Sequence, residues 1–297
     1  MTSRHDVPAP PPSTPRTSRQ ALPLLRRAPG APPAVVAHRG SSASAPENTL
    51  AALEAARRAG GSWMEVDLRR TGDDVVVLLH DDHLSRTTDG SGRLAETSAV
   101  DLAHLDAGSW FSREHAGEPV PTLADVLVWA RRHPGVHLLL ELKGTWSPLQ
   151  ARLVTDAVRS ASVRSRVVLQ SFDPVTVASL AAVGADCARG LLLDGTGPVE
   201  ATGAEVARLV AAHGLACVNP GDGVLAADLG LADRLHALGV AVWTWTVDDP
   251  ARWADLDAAG VDGVITNTPG AMLGWLAERP RVPAQARSRV RADVRRR

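Results

Sequence analysis

The stretch WMEVDLRRTGDDVVVLLHD, residues 63–81, decides the fold. It holds two apolar runs, Trp63–Leu68 and Val75–His80, separated by Thr71-Gly72-Asp73-Asp74. Gly and Asp at such a junction predict a tight reversal, because they accept turn conformations that other residues resist. The second run is then antiparallel to the first. Working outward, seven more apolar runs recur: Val35–His38, His137–Lys143, Val167–Ser171, Arg189–Leu193, Leu215–Asn219, Val240–Val247 and Asp262–Thr266. Their continuity is that of strands buried on both faces of a parallel sheet. Helical patterns fall between them, at Thr49–Ala59, Thr122–Arg132, Leu149–Ser160, Pro174–Val183, Glu205–His213, Ala227–Leu238, Pro250–Ala259 and Gly270–Glu278. Several are followed by glycine (Gly60, Gly184, Gly214, Gly239, Gly260), the usual left-handed stop.

Eight strand–helix alternations over 34–278 predict an α/β fold, a (β/α)8 TIM-type barrel. The antiparallel run cannot be a ninth barrel strand. It reads as a hairpin arm that rises from the mouth and returns His80 to the rim. Residues 82–121 follow as a small insertion after strand 2, above the face where barrel enzymes keep their chemistry.

The flanks differ in composition. Residues 1–33 are rich in Pro and Arg, and 279–297 carry eight Arg and one acid, Asp293. Neither buries enough apolar surface to offset its ordering entropy, so both are expected to be disordered tails. A formal net charge of −1 removes the simplest argument for nucleic-acid binding. The Arg-rich end allows a weak contact with an anionic membrane surface. Two cysteines, Cys187 and Cys217, cannot form a disulfide framework or a four-cysteine zinc site. No apolar run reaches the roughly 18 residues that span a bilayer, and the first 30 residues lack a signal-peptide core. A cytoplasmic location is expected.

Chemistry concentrates at strand ends. Glu65-Val66-Asp67 and Glu141-Leu142-Lys143 are i, i+2 pairs, and such side chains share a strand face. On neighbouring strands they bring three carboxylates and an ammonium together. Such charges are costly when buried unless they are paired or bind a cation, and hard oxygen donors suit Mg2+ or Ca2+. The alternative is a charge network that only caps the barrel. His38-Arg39 ends the first strand, pairing a proton carrier with a phosphate clamp; His80-Asp81 ends the arm. Either histidine alone also fits a structural role. Pro46-Glu47-Asn48-Thr49 reads as a helix start with Asn48 or Thr49 as N-cap, or as a place for Glu47 around the metal or substrate. Of the 32 Lys+Arg residues, only Lys143 is a lysine.

In order, His-Arg-Gly (38–40), Pro-Glu-Asn-Thr-Leu (46–50), Glu-Val-Asp-Leu (65–68) and Val-Val-Val-Leu-Leu-His-Asp (75–81) resemble the glycerophosphodiester phosphodiesterase family. Arg86-Thr87-Thr88-Asp89-Gly90-Ser91-Gly92, Pro121-Thr122-Leu123, Leu140–Lys143, Ser171-Phe172 and Trp245-Thr246-Val247 extend the match over most of 34–270. The resemblance implies a (β/α)8 barrel with a small insertion. It implies metal carboxylates at Glu65, Asp67 and Glu141, catalytic histidines at His38 and His80, phosphate-binding Arg39 and Lys143, and Trp245 in substrate binding. It further implies an Mg2+- or Ca2+-dependent release of glycerol 3-phosphate and an alcohol from a small glycerophosphodiester. A phospholipase D-like activity on lysophospholipids or sphingolipids uses the same groups, and a non-catalytic phosphate-binding barrel is the remaining alternative. Two positions depart from the family pattern. Asp248 stands where Asn is usual after Trp-Thr-Val, and Asn267 where the last strand usually ends Thr-Asp. Trp110 and Phe111 fit either a pocket wall or the packing of the insertion.

Overall fold

The computed structural model describes residues 25–196, 203–228 and 230–279. Eight parallel strands close a barrel: β1 (Ala34–His38), β2 (Trp63–Arg70), β4 (His137–Leu142), β5 (Val167–Ser171), β6 (Ala188–Leu193), β7 (Cys217–Pro220), β8 (Ala241–Thr244) and β9 (Gly263–Thr266). Each pairs with the next in that order, and β1 pairs with both β9 and β2. The remaining strand, β3 (Val76–Leu78), runs antiparallel to β2 with Leu68 opposite Leu78. The hairpin arm therefore forms as the reversal at 71–74 requires.

Alternation along each strand sorts side chains into two shells. On β2, Met64, Val66 and Leu68 face the helices, within an apolar cluster that includes Leu53, Leu123, Leu138 and Leu140. Trp63 faces inward with Val36, Leu139, Val168, Trp243 and Ile265. Two residues further up the same inward row stands Glu65, then Asp67. Strand β4 repeats the pattern, Leu139 inward below Glu141.

Two details differ from the sequence reading. The helical pattern at Ala227–Leu238 is broken: helix covers Asp222–Ala227 and then Leu231–Ala237. Gly184 does not stop its helix in the left-handed region, since its φ is −115°. Glycine is needed there because a Cβ would lie 2.7 Å from Thr155 on the adjacent helix.

The tail assigned to 1–33 is corrected for its last nine residues. Leu25 is buried in the inward-facing cluster, and its carbonyl accepts the indole N–H of Trp243. Arg27 reaches Asp257, and its backbone N–H donates to Asp262. This segment plugs the lower end of the barrel, supplying apolar surface that composition averaged over 33 residues conceals. Residues 1–24 and 280–297 of the two expected tails lie outside the described residues. The insertion has its own small core of Val77, Leu79, Leu84, Leu94, Leu102, Ala107 and Val120. Trp110 and Phe111 lie in the insertion outside that core, meeting edge to face at 5.7 Å, and do not line the cavity described next. Among the described residues no helix is long and apolar enough to cross a membrane.

Candidate active site

The upper end of the barrel holds a cavity lined by His38, Arg39, Glu65, His80, Glu141 and Lys143, with Phe172 and Trp245 among its apolar walls. Strand register explains the convergence. His38 is level with Glu65, and Asp67 is level with Glu141. Carboxylate oxygens of Glu65, Asp67 and Glu141 lie within 4.8 Å of one another, and all three residues are buried.

The turn after β1 is built for this contact. Arg39 has φ 57°, left-handed for a non-glycine residue, at a cost of roughly 1 kcal/mol. Gly40 is also left-handed, and a Cβ there would lie 2.5 Å from the backbone of Ala52. The contorted turn aims the backbone N–H of Arg39 at Glu65 Oε2 (3.0 Å) and its guanidinium at Asp67 (2.9 Å) and Glu47 (2.9 Å). Lys143 Nζ stands 2.7 Å from Glu141 and 3.5 Å from Asp67. Glu47 stands behind Arg39, held also by Arg86, rather than among the three carboxylates.

Burial and the neighbouring carboxylates Asp67 and Glu141 push Glu65 well above its ordinary range. Burial and Asp67 raise Glu141 to about 7 despite Lys143. Burial would raise Asp67 too, but the charges of Arg39 and Lys143 outweigh it and hold the carboxyl low. Two buried oxygens, Asp67 Oδ1 and Glu141 Oε1, have the Lys143 ammonium, at 3.5 and 2.7 Å, as their one cationic neighbour and accept from no other group. A trio of hard oxygen donors with excess negative charge and unclaimed lone pairs fits a divalent cation such as Mg2+ or Ca2+.

Residues 38–271 match the glycerophosphoryl diester phosphodiesterase family. The chain belongs to that family. A glycerophosphodiester phosphodiesterase of Caldanaerobacter subterraneus is 29% identical over 242 residues, covering 80% of this chain and 96% of that protein. Among solved structures, a phosphodiesterase of Oleispira antarctica in complex with its product sn-glycerol-3-phosphate superposes with a TM-score of 0.74 and 30% identity, covering 87% of this chain and 99% of that one. A glycerophosphodiester phosphodiesterase of Agrobacterium tumefaciens gives 0.70 and 25%, covering 82% and 99%. Family membership makes this chain a phosphodiester hydrolase with a glycerophosphodiester substrate.

Within this phosphodiesterase the two histidines reach the cavity differently. His38 Nδ1 meets Asn267 Oδ1 at 2.7 Å; His80 Nδ1 meets the Asp81 carboxylate at 2.6 Å. Arg69 ties the arm down by donating to the His80 carbonyl at 2.7 Å. Burial and Arg39 lower His38 to about 4. Burial, with Arg39 and Lys143, also lowers His80, against the pull of Asp67 and Asp81. Trp245 is fixed by its N–H on the Asn219 carbonyl (2.8 Å) and stands edge-on to Phe172.

Several site residues escape sequence reading. Thr49 is the N-cap, its hydroxyl accepting from Ala52 N–H, which frees Asn48 for another task. Asn48, buried at φ 59°, donates to Asp67 Oδ2 (2.9 Å) and accepts from the Asp67 backbone N–H (3.1 Å). The usable signal was that one cap leaves one polar residue unassigned. Arg86 bridges Asp81 and Glu47, joining the His80 side of the site to the Arg39 side; only its place in a matched motif pointed to it.

Proposed function

We propose that this chain splits glycerophosphodiesters into glycerol 3-phosphate and an alcohol, with His38 as base, His80 as acid and a divalent cation on Glu65, Asp67 and Glu141. The observation that carries the reading is the wiring of the two imidazoles. His38 faces a neutral amide and is strongly depressed, so it is an unprotonated acceptor near neutral pH. His80 faces a carboxylate, which opposes the lowering by burial and the nearby cations and leaves this ring less depressed than His38, so we assign it the protonation of the leaving alkoxide. Arg39 and Lys143 place fixed positive charge where the phosphoryl group gains negative charge. When bound, the cation supplies Lewis-acid stabilisation of that same charge. Trp245 and Phe172 form an apolar wall for the glycerol or alcohol portion. The reading includes a cytoplasmic setting, which the free, buried Cys187 and Cys217 fit.

The decisive assay is release of glycerol 3-phosphate from a panel of diesters, with glycerophosphocholine and lysophosphatidylcholine side by side, with and without chelator. Chelator-sensitive release from glycerophosphocholine is expected; no product from any diester refutes the reading. Because the base is depressed to about 4, it stays available as pH falls through the unperturbed histidine value of about 6.5. With saturating cation, kcat/KM is expected to hold down to about pH 5 rather than decline through pH 6.5.

A further inference from the structure

The rim behind His38 contains a chain of side chains that extends past the Asn267 amide to Asp248 and Thr266, which the acid–base reading leaves unused. Asn267 Oδ1 accepts from both His38 Nδ1 (2.7 Å) and Ser42 Oγ (2.8 Å). The Asn267 amide nitrogen donates to Asp248 Oδ2 at 2.7 Å, and its backbone N–H donates to Asp248 Oδ1 at 2.7 Å. Thr266 Oγ1 donates to the same Oδ1 at 2.7 Å.

The two ends of a carboxamide have nearly the same shape and opposite hydrogen-bonding character, so its neighbours choose its orientation. An ionised carboxylate only accepts. Asp248 therefore forces the NH2 of Asn267 toward itself and the carbonyl oxygen toward His38. That oxygen also only accepts, so His38 must present an N–H at Nδ1. In the neutral imidazole the other nitrogen, Nε2, then carries the lone pair.

We propose that Asp248 and Asn267 are positioning residues that fix the tautomer of His38. Asp248 sets the amide, the amide sets the proton on Nδ1, and Nε2 is left as the proton acceptor. The inference rests on the base assignment made above. Asp248 and Asn267 form a matched carboxylate–amide pair, with the neutral member placed against His38.

The matched pair supplies the test. Asp248→Asn leaves one acceptor oxygen where Asn267 needs two, setting donor against donor. Asn267→Asp sets carboxylate against carboxylate. Combining them restores one carboxylate and one amide with every donor paired. Each single variant is expected to lower kcat about tenfold or more while the diester KM stays within about twofold, since the lost group acts on proton transfer rather than binding. The combined variant is expected to recover most of that loss. In 15N-histidine NMR, wild-type His38 should be protonated at Nδ1, and Asp248→Asn should turn it into a mixture of tautomers. The NMR readout stands whether or not a variant is active, and thermal melts identify any variant that fails to fold. Wild-type kcat in both single variants, a combined variant no better than either single one, or a wild-type His38 protonated at Nε2 overturns the proposal. His38→Ala separates the two layers. If it keeps wild-type turnover, the base assignment has failed; if it is inactive while both single variants are unaffected, only this inference has failed.

Discussion

The barrel interior is apolar in its lower half and charged in its upper half, and the same strands build both. On β2 the inward row runs Trp63, Glu65, Asp67; on β4 it runs Leu139, Glu141, then Lys143 just past the strand end. Below, Trp63 meets Trp243 edge to face at 4.7 Å, and Leu25 seals the end. Above, three carboxylates crowd together with two of them pushed toward protonation. Burying like charges opposes folding, so the upper half is a burden that the lower half and the surrounding helices offset. Stability and chemistry are thus separated by one step along a strand, and substitutions can be aimed at either.

The largest expected effect is in the upper half. Glu65→Gln should lower kcat by about 10³-fold or more, since the proposed function places the cation on this carboxylate. In chelator its melting temperature should equal or exceed that of the wild type, because one of three crowded charges is gone. A chelator-phase melt well below wild type would show that the trio stabilises the fold and would break the contrast. Next come His38→Ala and His80→Ala, each expected to cost about 10²- to 10⁴-fold in kcat with cation affinity nearly intact, read by turnover and cation titration. In the lower half, Trp63→Ala should cost about 3–5 kcal/mol in denaturant unfolding while the folded fraction keeps its kcat. A fall in kcat per folded molecule would show that the halves are coupled. The smallest effect is reserved for Lys143→Arg. Lys143 Nζ sits between two carboxylates and 5.7 Å from the ring of Phe172. A planar guanidinium fits such a point position poorly, and kcat should drop about tenfold. Full activity would mean that any cation serves there.

How much of this was legible in the sequence depends on the range of the interaction. The i, i+2 spacing of Glu65 and Asp67 is a property of one strand, and it placed both side chains correctly. The arm was legible because Gly72 and Asp73 mark a reversal between two apolar runs. The plug at Leu25 was not, because Leu22, Leu24 and Leu25, interrupted by Pro23 in a Pro/Arg-rich stretch, show no strand or helix periodicity; Leu25 is held by Trp243, some two hundred residues away. Asn48 reads locally as a cap candidate and becomes a clamp on Asp67 only once β2 is laid beside it. Asp248 and Asn267 stood out as two separate departures, and their being one interacting pair required the strands to be closed into a barrel.

The plug has a practical consequence for handling the protein. Arg27, entering the fold, and Arg279, at the end of the last described helix, both bind Asp257 on the closed side of the barrel. The described chain thus arrives and departs at one pole, opposite the mouth. An affinity handle or fused partner joined directly at residue 25 or residue 279 would leave the fold at that pole, so a molecule immobilised through such a junction presents its entrance to the bulk solution.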